Sequence, residues 1–531
     1  MICGETGELP GLKGHVMAKK VKEERLEDIL FSCRNHLRGK ADMSDKRDVL
    51  LTLVFLKFMS DRFEEQQDKI RAKYSDPKLA AIHLAKTAAY NQDGVIFMPE
   101  ECRWRYLVDK VEPKKKALAL DNATSVLDRQ EEKLRNALPL GLFVACDFEA
   151  NVLKSVMEEL DKIDAKRFGE KDMIGRVYEY YLQAFSINAD KEEGEFYTPH
   201  SLVELIATMI EPYDGKLYDP CCGSGGMFIQ CAKLVEAHGG NTKSINVYGQ
   251  ESEPSTYRLA KMNLAVRGIS YHLGTRPASS FTNDQHPDLK VDYVMTNPPF
   301  NLKKWRAPDE LLDDVRWKGY AVPPESNANY AWILHILNKL NEKDGVAGFL
   351  LANGALDDGD TLAIRRQLIE NDKVEAIIVL PREMFYSTDI SVTLWILNQN
   401  KRGGAYHERM LRNRADEILF MDLRTWNGTV YEKNYVKLSS EQIAAATKIY
   451  HDWQTKEIGA KPELYYSAKK GDIAAKNYSL VPSRYIEFVD RDTELDYKAA
   501  LKTIGAQSTE LVERQVENGL TLVKALKKLG C

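Results

Sequence analysis

Apolar positions along the first third of the chain recur at helical spacing. Leu26, Ile29, Leu30, Cys33 and Leu37 fall on one stripe, and Gly39 stands where a helix would end. Ser44 is the predicted N-cap of a second helix, "DKRDVLLTLVFLKFMSDRFEEQ". Val49, Leu50, Leu53, Leu56 and Met59, together with Phe55 and Phe58, cover too wide a surface for one-sided burial, so this helix is predicted to be packed on two sides. "EPKKKALALDNATS" (112–125) reads as a solvated connection, and "KDMIGRVYEYYLQAF" (171–185) as a further helix leading into a charged loop that ends in "GEFYTP" (194–199). "HSLVELIATMI" then predicts a helix that Thr198 would cap.

The periodicity changes after residue 214. "GKLYDP", "SINVYGQE", "VDYVMTNPPF", "GVAGFLLAN" and "VEAIIVLP" read as short buried strands. "GMFIQCAKLVEAH", "PSTYRLAKMNLAVRG", "NYAWILHILNKL" and "DTLAIRRQLIEN" read as the helices between them. Such alternation predicts a parallel sheet covered on both faces. "ISVTLWILNQ" and "EILFMDLR" add strands near its end, and from about residue 435 helix is expected again, with Leu511, Val516, Leu520, Val523 and Leu526 at near-helical spacing. The chain divides into a flexible extension (1–20), a helical region (21–165), an α/β catalytic domain (166–434) and a carboxy-terminal helical region (435–531).

Composition narrows the class. Of 531 residues, 44% are hydrophobic and 29% charged, ordinary for a globular protein, and the net charge is −5. A chain gripping nucleic acid by itself would more often be basic, so any such contact is local or shared with a partner. Eight cysteines without a CxxC pair fit a reducing cytoplasm rather than a disulfide framework, and nothing suggests a metal cluster. No apolar run approaches the ~20 residues of a membrane span.

Two stretches carry chemistry. The first predicted strand runs into "DPCCGSGG", a glycine-rich turn that would let a ligand approach the backbone at the sheet's carboxyl edge. It is neither GxGxxG nor GxxxxGK[ST], so it makes no case for phosphate binding. Glu251 ends the next strand, where an acid accepts from both ribose hydroxyls of a nucleoside. A ribose without a phosphate signature points to S-adenosylmethionine. The second stretch is "NPPF". The prolines stop the strand and stiffen it, presenting the Asn297 side-chain oxygen and the Pro298 carbonyl as acceptors, with the Phe300 ring beside them. Two rigid acceptors suit the amine of an aromatic base, whose lone pair is delocalised into its ring.

In this order the motifs resemble those of the modification subunits of type I restriction-modification systems, HsdM-like adenine-N6 DNA methyltransferases. The resemblance runs from "KRDVLLTLVFLKFMSD" through "GEFYTP", "YDPCCGSGGMF", "YGQE", "MTNPPFN" and "VPPESNANYAW" to "LPREMFYSTDISVTLWIL", nearly the whole chain. It implies a Rossmann-like S-adenosylmethionine-dependent methyltransferase domain between helical regions. It assigns cofactor binding to Glu195, Phe196, Tyr197, Thr198, Pro199, His200, Asp219, Gly223, Ser224, Gly225, Gly226 and Glu251, and the adenine to Asn297, Pro298, Pro299 and Phe300. It further implies double-stranded DNA as substrate, two modification subunits per DNA-specificity subunit, and an optional restriction subunit; the carboxy-terminal helices would contact the specificity subunit. Lys303, Lys304 and Arg306, just past the motif, are candidate phosphate contacts. One departure is that Ser279 or Ser280 stands where relatives often carry an acid or amide near the cofactor's adenine.

Other readings remain open on the residues. NPP[FY] also serves methyltransferases of RNA guanine and of protein glutamine amides, and the serine departure allows a catalytically weakened scaffold. His272 and His335 read as ordinary polar or core residues, and no general base is named.

Overall fold

A computed structural model of the protein describes residues 25–91, 95–163, 177, 180–181, 198–237, 239–240, 244–385, 391–427, 429–431, 435–489 and 497–528. The predicted extension at 1–20 and most of the predicted helix at 171–185 lie outside them.

The amino-terminal helices gather around Met43–Lys73. This helix is buried without a break from Val49 to Ser60, the two-sided packing its wide apolar surface required. Asp42, not Ser44, occupies its N-cap position, and Ser44 lies inside the first turn. The stretch expected to be a solvated connection is instead the helix Lys116–Gln130, with Leu120, Ala123 and Leu127 buried. Its run of three lysines misleads because only Lys114 and Lys115 are exposed. Lys116 is buried and donates to the carbonyls of Leu107 (2.7 Å) and Val108 (2.9 Å).

The α/β part is built on β1 (Gly215–Asp219), β2 (Ile245–Gly249), β3 (Tyr271–His272), β4 (Tyr293–Thr296), β5 (Val346–Ala352), β6 (Val374–Val379) and β7 (Val392–Asn398). Beyond them come β8 (Gly404–Tyr406), β9 (Arg409–Leu411), β10 (Glu417–Asp422), β11 (Thr429–Tyr431), β12 (Tyr435–Lys437) and β13 (Tyr465–Lys469). Nine strands form one sheet in the order β13-β10-β6-β7-β5-β4-β1-β2-β3; β8–β9 and β11–β12 are separate hairpins. The sheet is mixed rather than wholly parallel. β7 runs antiparallel between β5 and β6, and β13 antiparallel to β10. Only 12 residues separate β6 from β7, about the least a parallel crossover needs and more than an antiparallel return requires. β13 also lies within the stretch expected to be helical from residue 435; Tyr465 and Tyr466 sit on an edge where only one side of the strand is covered.

Chain order reverses at β1. β2 and β3 follow on one side, while β4 and β5 lie on the other. Ligands of doubly wound sheets bind at such a reversal, outside the carboxyl ends of the strands. Helix Pro254–Val266, which follows β2, is shared between two cores. Tyr257, Ala260 and Leu264 pack on the sheet, whereas Leu259, Met262, Ala265 and Val266 join the amino-terminal core. No helix among the described residues is long and apolar enough to cross a membrane.

At the far end of the sheet, β6 carries a bulge between Val374 and Ala376. The skipped residue, Glu375, is fully buried and pairs at 3.0 Å with the equally buried Arg414, and Gln454 donates to the same oxygen at 3.2 Å. Replacing Glu375 with alanine would strand the guanidinium in the core. A loss of about 3–5 kcal/mol is expected on chemical denaturation; a change below ~1 kcal/mol would show that the pair does not hold this end of the sheet.

Candidate active site

The carboxyl ends of β1 and β4 are neighbours, because Leu217 pairs with Tyr293 and Tyr218 with Val294. This pairing brings the glycine turn after β1 alongside the NPPF segment after β4. The turn is tied to β2 from both directions. Gln250 N–H donates to the Asp219 carbonyl (3.1 Å), and Cys222 N–H to the Gln250 carbonyl (3.0 Å). Gly223 and Gly225 have φ of +54° and +82°, a region costly for residues with a Cβ. A Cβ at Gly223 or Gly226 would meet nothing within 4 Å, so the turn borders open space. Helix Gly226–Ala237 leaves from here, and Asn263 Nδ2 donates to the Ser224 carbonyl at 2.8 Å.

Glu251 closes the same cradle. One carboxylate oxygen accepts from Gly223 N–H (2.9 Å), and the other from Ser252 N–H (2.7 Å) and Glu253 N–H (2.9 Å). Burial raises its pKa, opposed by those three N–H donors and by the Ser252 hydroxyl, 3.4 Å away. Asp219 lies deeper, 1% exposed, and burial pushes its carboxyl up to about 7 against the Thr296 hydroxyl and Cys221 N–H. Thr296 also lies 3.0 Å from the Cys221 thiol, so Asp219, Thr296 and Cys221 stitch the two motifs together. Burial drives the thiols of Cys221 and Cys222 well above their usual range.

Asn297 follows β4. Its Nδ2 donates to Thr198 Oγ1 at 3.0 Å. Its Oδ1 is buried and accepts no hydrogen bond from any described residue. Thr198 makes no side-chain cap bond to helix His200–Ile210; its hydroxyl serves Asn297 instead. Pro298 is buried, Pro299 half-buried, and the Phe300 ring stands edge-on to Phe385 with centroids 5.8 Å apart. Beyond it the Asn301 carboxamide oxygen accepts from Asn327 (3.2 Å) and Asn329 (2.9 Å), which fastens the loop.

The remaining expected residues divide. His200 lies 3.5 Å from Glu204, one helical turn on. Glu195, Phe196 and Tyr197 fall outside the described residues. Lys303 and Lys304 are exposed beside the NPPF segment. Arg306 is not a free surface cation. Its guanidinium donates to the carbonyls of Ala307, Pro308, Glu310 and Pro323 and so organises its own loop. The Ser280 hydroxyl donates to the Pro220 carbonyl, and Ser279 accepts from Phe281 N–H (3.2 Å), so both serines brace the loop at the turn.

Three bracing residues escaped the sequence reading. Gln250 is fully buried and bridges the carbonyls of Ala278 (3.0 Å) and Asn283 (2.8 Å). Thr296 was read only as strand. Arg316 donates to the carbonyls of Ser280 (2.8 Å) and Phe281 (2.7 Å) and to His335 Nδ1 (3.2 Å). Since arginine only donates, Nδ1 is an acceptor. Burial keeps His335 neutral, so its proton is on Nε2, facing the Tyr218 hydroxyl at 3.1 Å. Only the "YGQE" context of Gln250 offered a signal.

Residues 169–494 match the family N-6 DNA Methylase, and residues 26–160 match the HsdM N-terminal domain. The type I restriction enzyme MjaIX methylase subunit of Methanocaldococcus jannaschii is 30% identical, covering 95% of this chain and 91% of its own length. The HindI methylase subunit of Haemophilus influenzae is 36% identical, over 68% of this chain and 79% of its own. The crystal structure of a type I restriction-modification methyltransferase subunit from Streptococcus thermophilus superimposes with a TM-score of 0.69 at 23% identity, over 87% of this chain and 98% of that one. The chain therefore belongs to the N-6 DNA methylase family and, within it, to the methylase subunits of type I restriction enzymes.

Proposed function

We propose that the chain methylates the N6 amine of a flipped-out adenine in double-stranded DNA, with S-adenosylmethionine as donor. It would do so in the cytoplasm, inside a complex of two such subunits with one specificity subunit that reads most of the target, and which a restriction subunit can join. The observation that carries the reading is the β1–β4 pairing that sets the NPPF segment beside the glycine turn, with Asn297 Oδ1 left without a donor among the described residues. A buried acceptor left without a donor costs about 1–3 kcal/mol, a cost that an arriving amine relieves.

S-adenosylmethionine, when bound, supplies an electrophilic methyl group on a sulfonium. The residues present fit it. Gly223 and Gly226 have open space where side chains would stand, with Ser224 and Gly225 completing the wall. Glu251 Oε1 already takes Ser252 N–H, the Ser252 hydroxyl and Glu253 N–H, whereas Oε2 accepts only Gly223 N–H among the described residues, so a lone pair of Oε2 is left for a ribose hydroxyl. Asp219 sits behind the turn and holds it in shape. Glu195, Phe196, Tyr197, Thr198, Pro199 and His200 belong to the proposed wall through the resemblance.

The base amine is a poor nucleophile because its lone pair is shared with the ring. Asn297 Oδ1 and the Pro298 carbonyl would accept its two N–H groups, drawing the nitrogen toward tetrahedral geometry and freeing the lone pair. Pro298 and Pro299 hold these acceptors in place beforehand, so little ordering is left to the reaction. Phe300 supplies a ring for stacking, which offsets part of the few kcal/mol that flipping costs. Displacement is direct. Cys221 and Cys222 are not nucleophiles, because burial keeps both thiols protonated. Lys303 and Lys304 lie beside the pocket and can meet phosphates. Helix Tyr497–Lys528 exposes Leu501, Ile504, Leu511, Val516, Leu520 and Val523, an apolar face suited to the specificity subunit.

Co-expression with the specificity subunit should mark one bipartite DNA motif with N6-methyladenine across the host genome. Asn297→Ala should cut the methylation rate by ~100-fold or more while the complex still elutes intact; a retained mark would refute the base pocket. A second expectation concerns pH. The unfolded Asp219 carboxyl titrates near ~3.9 and the folded one at about 7. The folded state therefore keeps a proton that the unfolded state releases, and this stabilisation is full below the window and lost as pH rises through it. Asp219→Asn removes the titration, so its melting temperature minus that of wild type should climb between pH 5 and 8 in the cofactor-free protein. A flat difference would overturn the assignment.

A further inference from the structure

An asparagine offers two ends of nearly equal shape and opposite hydrogen-bonding character. At a site that must accept from an amine, the wrong end facing out presents donors to a donor. Something has to choose the end, and Asn297 has one side-chain partner among the described residues, Thr198 Oγ1 at 3.0 Å. Nδ2 has hydrogens and no lone pair to offer, so in this contact the threonine oxygen accepts. That leaves Oδ1 as the buried, unpaired end. With the amide turned over, Oδ1 would take the hydroxyl proton and the amide hydrogens would face the base amine, donor against donor. Neither partner is loosely held. Thr198 and Asn297 each precede a proline, which keeps both backbones extended. Helix His200–Ile210, which begins two residues after Thr198, is pinned at its other end: the Tyr406 hydroxyl donates to the Ile210 carbonyl (2.6 Å), and Arg409 pairs with Glu211 (3.2 Å).

We propose that Thr198 is a positioning residue for the base: its hydroxyl oxygen fixes the Asn297 amide so that Oδ1 faces the substrate amine. This rests on the base-pocket reading above and gives Thr198 a role separate from holding the cofactor.

The test uses the full-length chain assembled with its specificity subunit. Single-turnover methylation of the target duplex is measured at saturating S-adenosylmethionine, with the dissociation constant of S-adenosylmethionine measured by calorimetry on the same preparations. Thr198→Val keeps the shape and removes the hydroxyl. Its transfer rate at saturating S-adenosylmethionine should fall on the order of tenfold, beyond whatever change appears in the cofactor dissociation constant. Thr198→Ser, which keeps the hydroxyl, should restore most of the rate. Thr198→Ala serves as a second hydroxyl-free variant if the valine variant fails to fold. The inference is overturned if the hydroxyl-free variants transfer at the wild-type rate, if serine is as slow as valine, or if the whole defect is lost cofactor affinity. Asn297→Ala separates the two levels. Wild-type activity in Asn297→Ala defeats the base pocket itself, whereas an inactive Asn297→Ala beside a normal Thr198→Val defeats only the role of Thr198.

Discussion

The parallel pairing of β1 with β4 is the constraint on which the site depends. Two residue pairs, Leu217 with Tyr293 and Tyr218 with Val294, set the strand ends side by side where chain order reverses. A shift of one residue would turn every side chain of β4 to the opposite face, carrying Thr296 away from Asp219 and Cys221. In the observed register Thr296 reaches both, so the glycine turn and the NPPF segment are held by side chains as well as by the sheet. Neither motif has a place to act without the other.

A second constraint reaches the turn from the helical region. Helix Pro254–Val266 begins at the segment Glu251 caps, holds Ser224 through Asn263, and buries its other face among the amino-terminal helices. One rigid element thus connects the amino-terminal core with the loop that borders the open space. Because both faces of the helix are packed, moving the amino-terminal helices would disturb the turn. The helical region is therefore part of what holds the site in shape.

Several buried polar groups around the turn are answered by backbone partners. Gln250, Glu251, Ser280 and Arg316 each close on main-chain groups of a neighbouring loop. Such bonds set loop shape with little regard to which side chain comes next, which is how an irregular segment such as 273–285 stays fixed. Asn297 differs: its amide meets a side chain at one end and, among the described residues, no donor at the other.

Local rules in the sequence settled much of this. Helical stripes, buried strand runs, the glycine turn and the proline-stopped strand were legible because each is written in neighbouring residues, whose spacing fixes which face is apolar and where the backbone must bend. So were the acids at the ends of β1 and β2. Where several sequence cues conflicted with burial, burial won: Lys116 looked solvated until carbonyls nine and eight residues away proved to satisfy it, and Arg306 looked free until four carbonyls took its guanidinium. The antiparallel course of β7, the return of β13 to the sheet, the Thr296 link and the threonine that orients Asn297 were decided by the tertiary structure alone. Each depends on groups tens to roughly a hundred residues apart along the chain, brought together by packing, and such a contact leaves no period or spacing in the sequence to read.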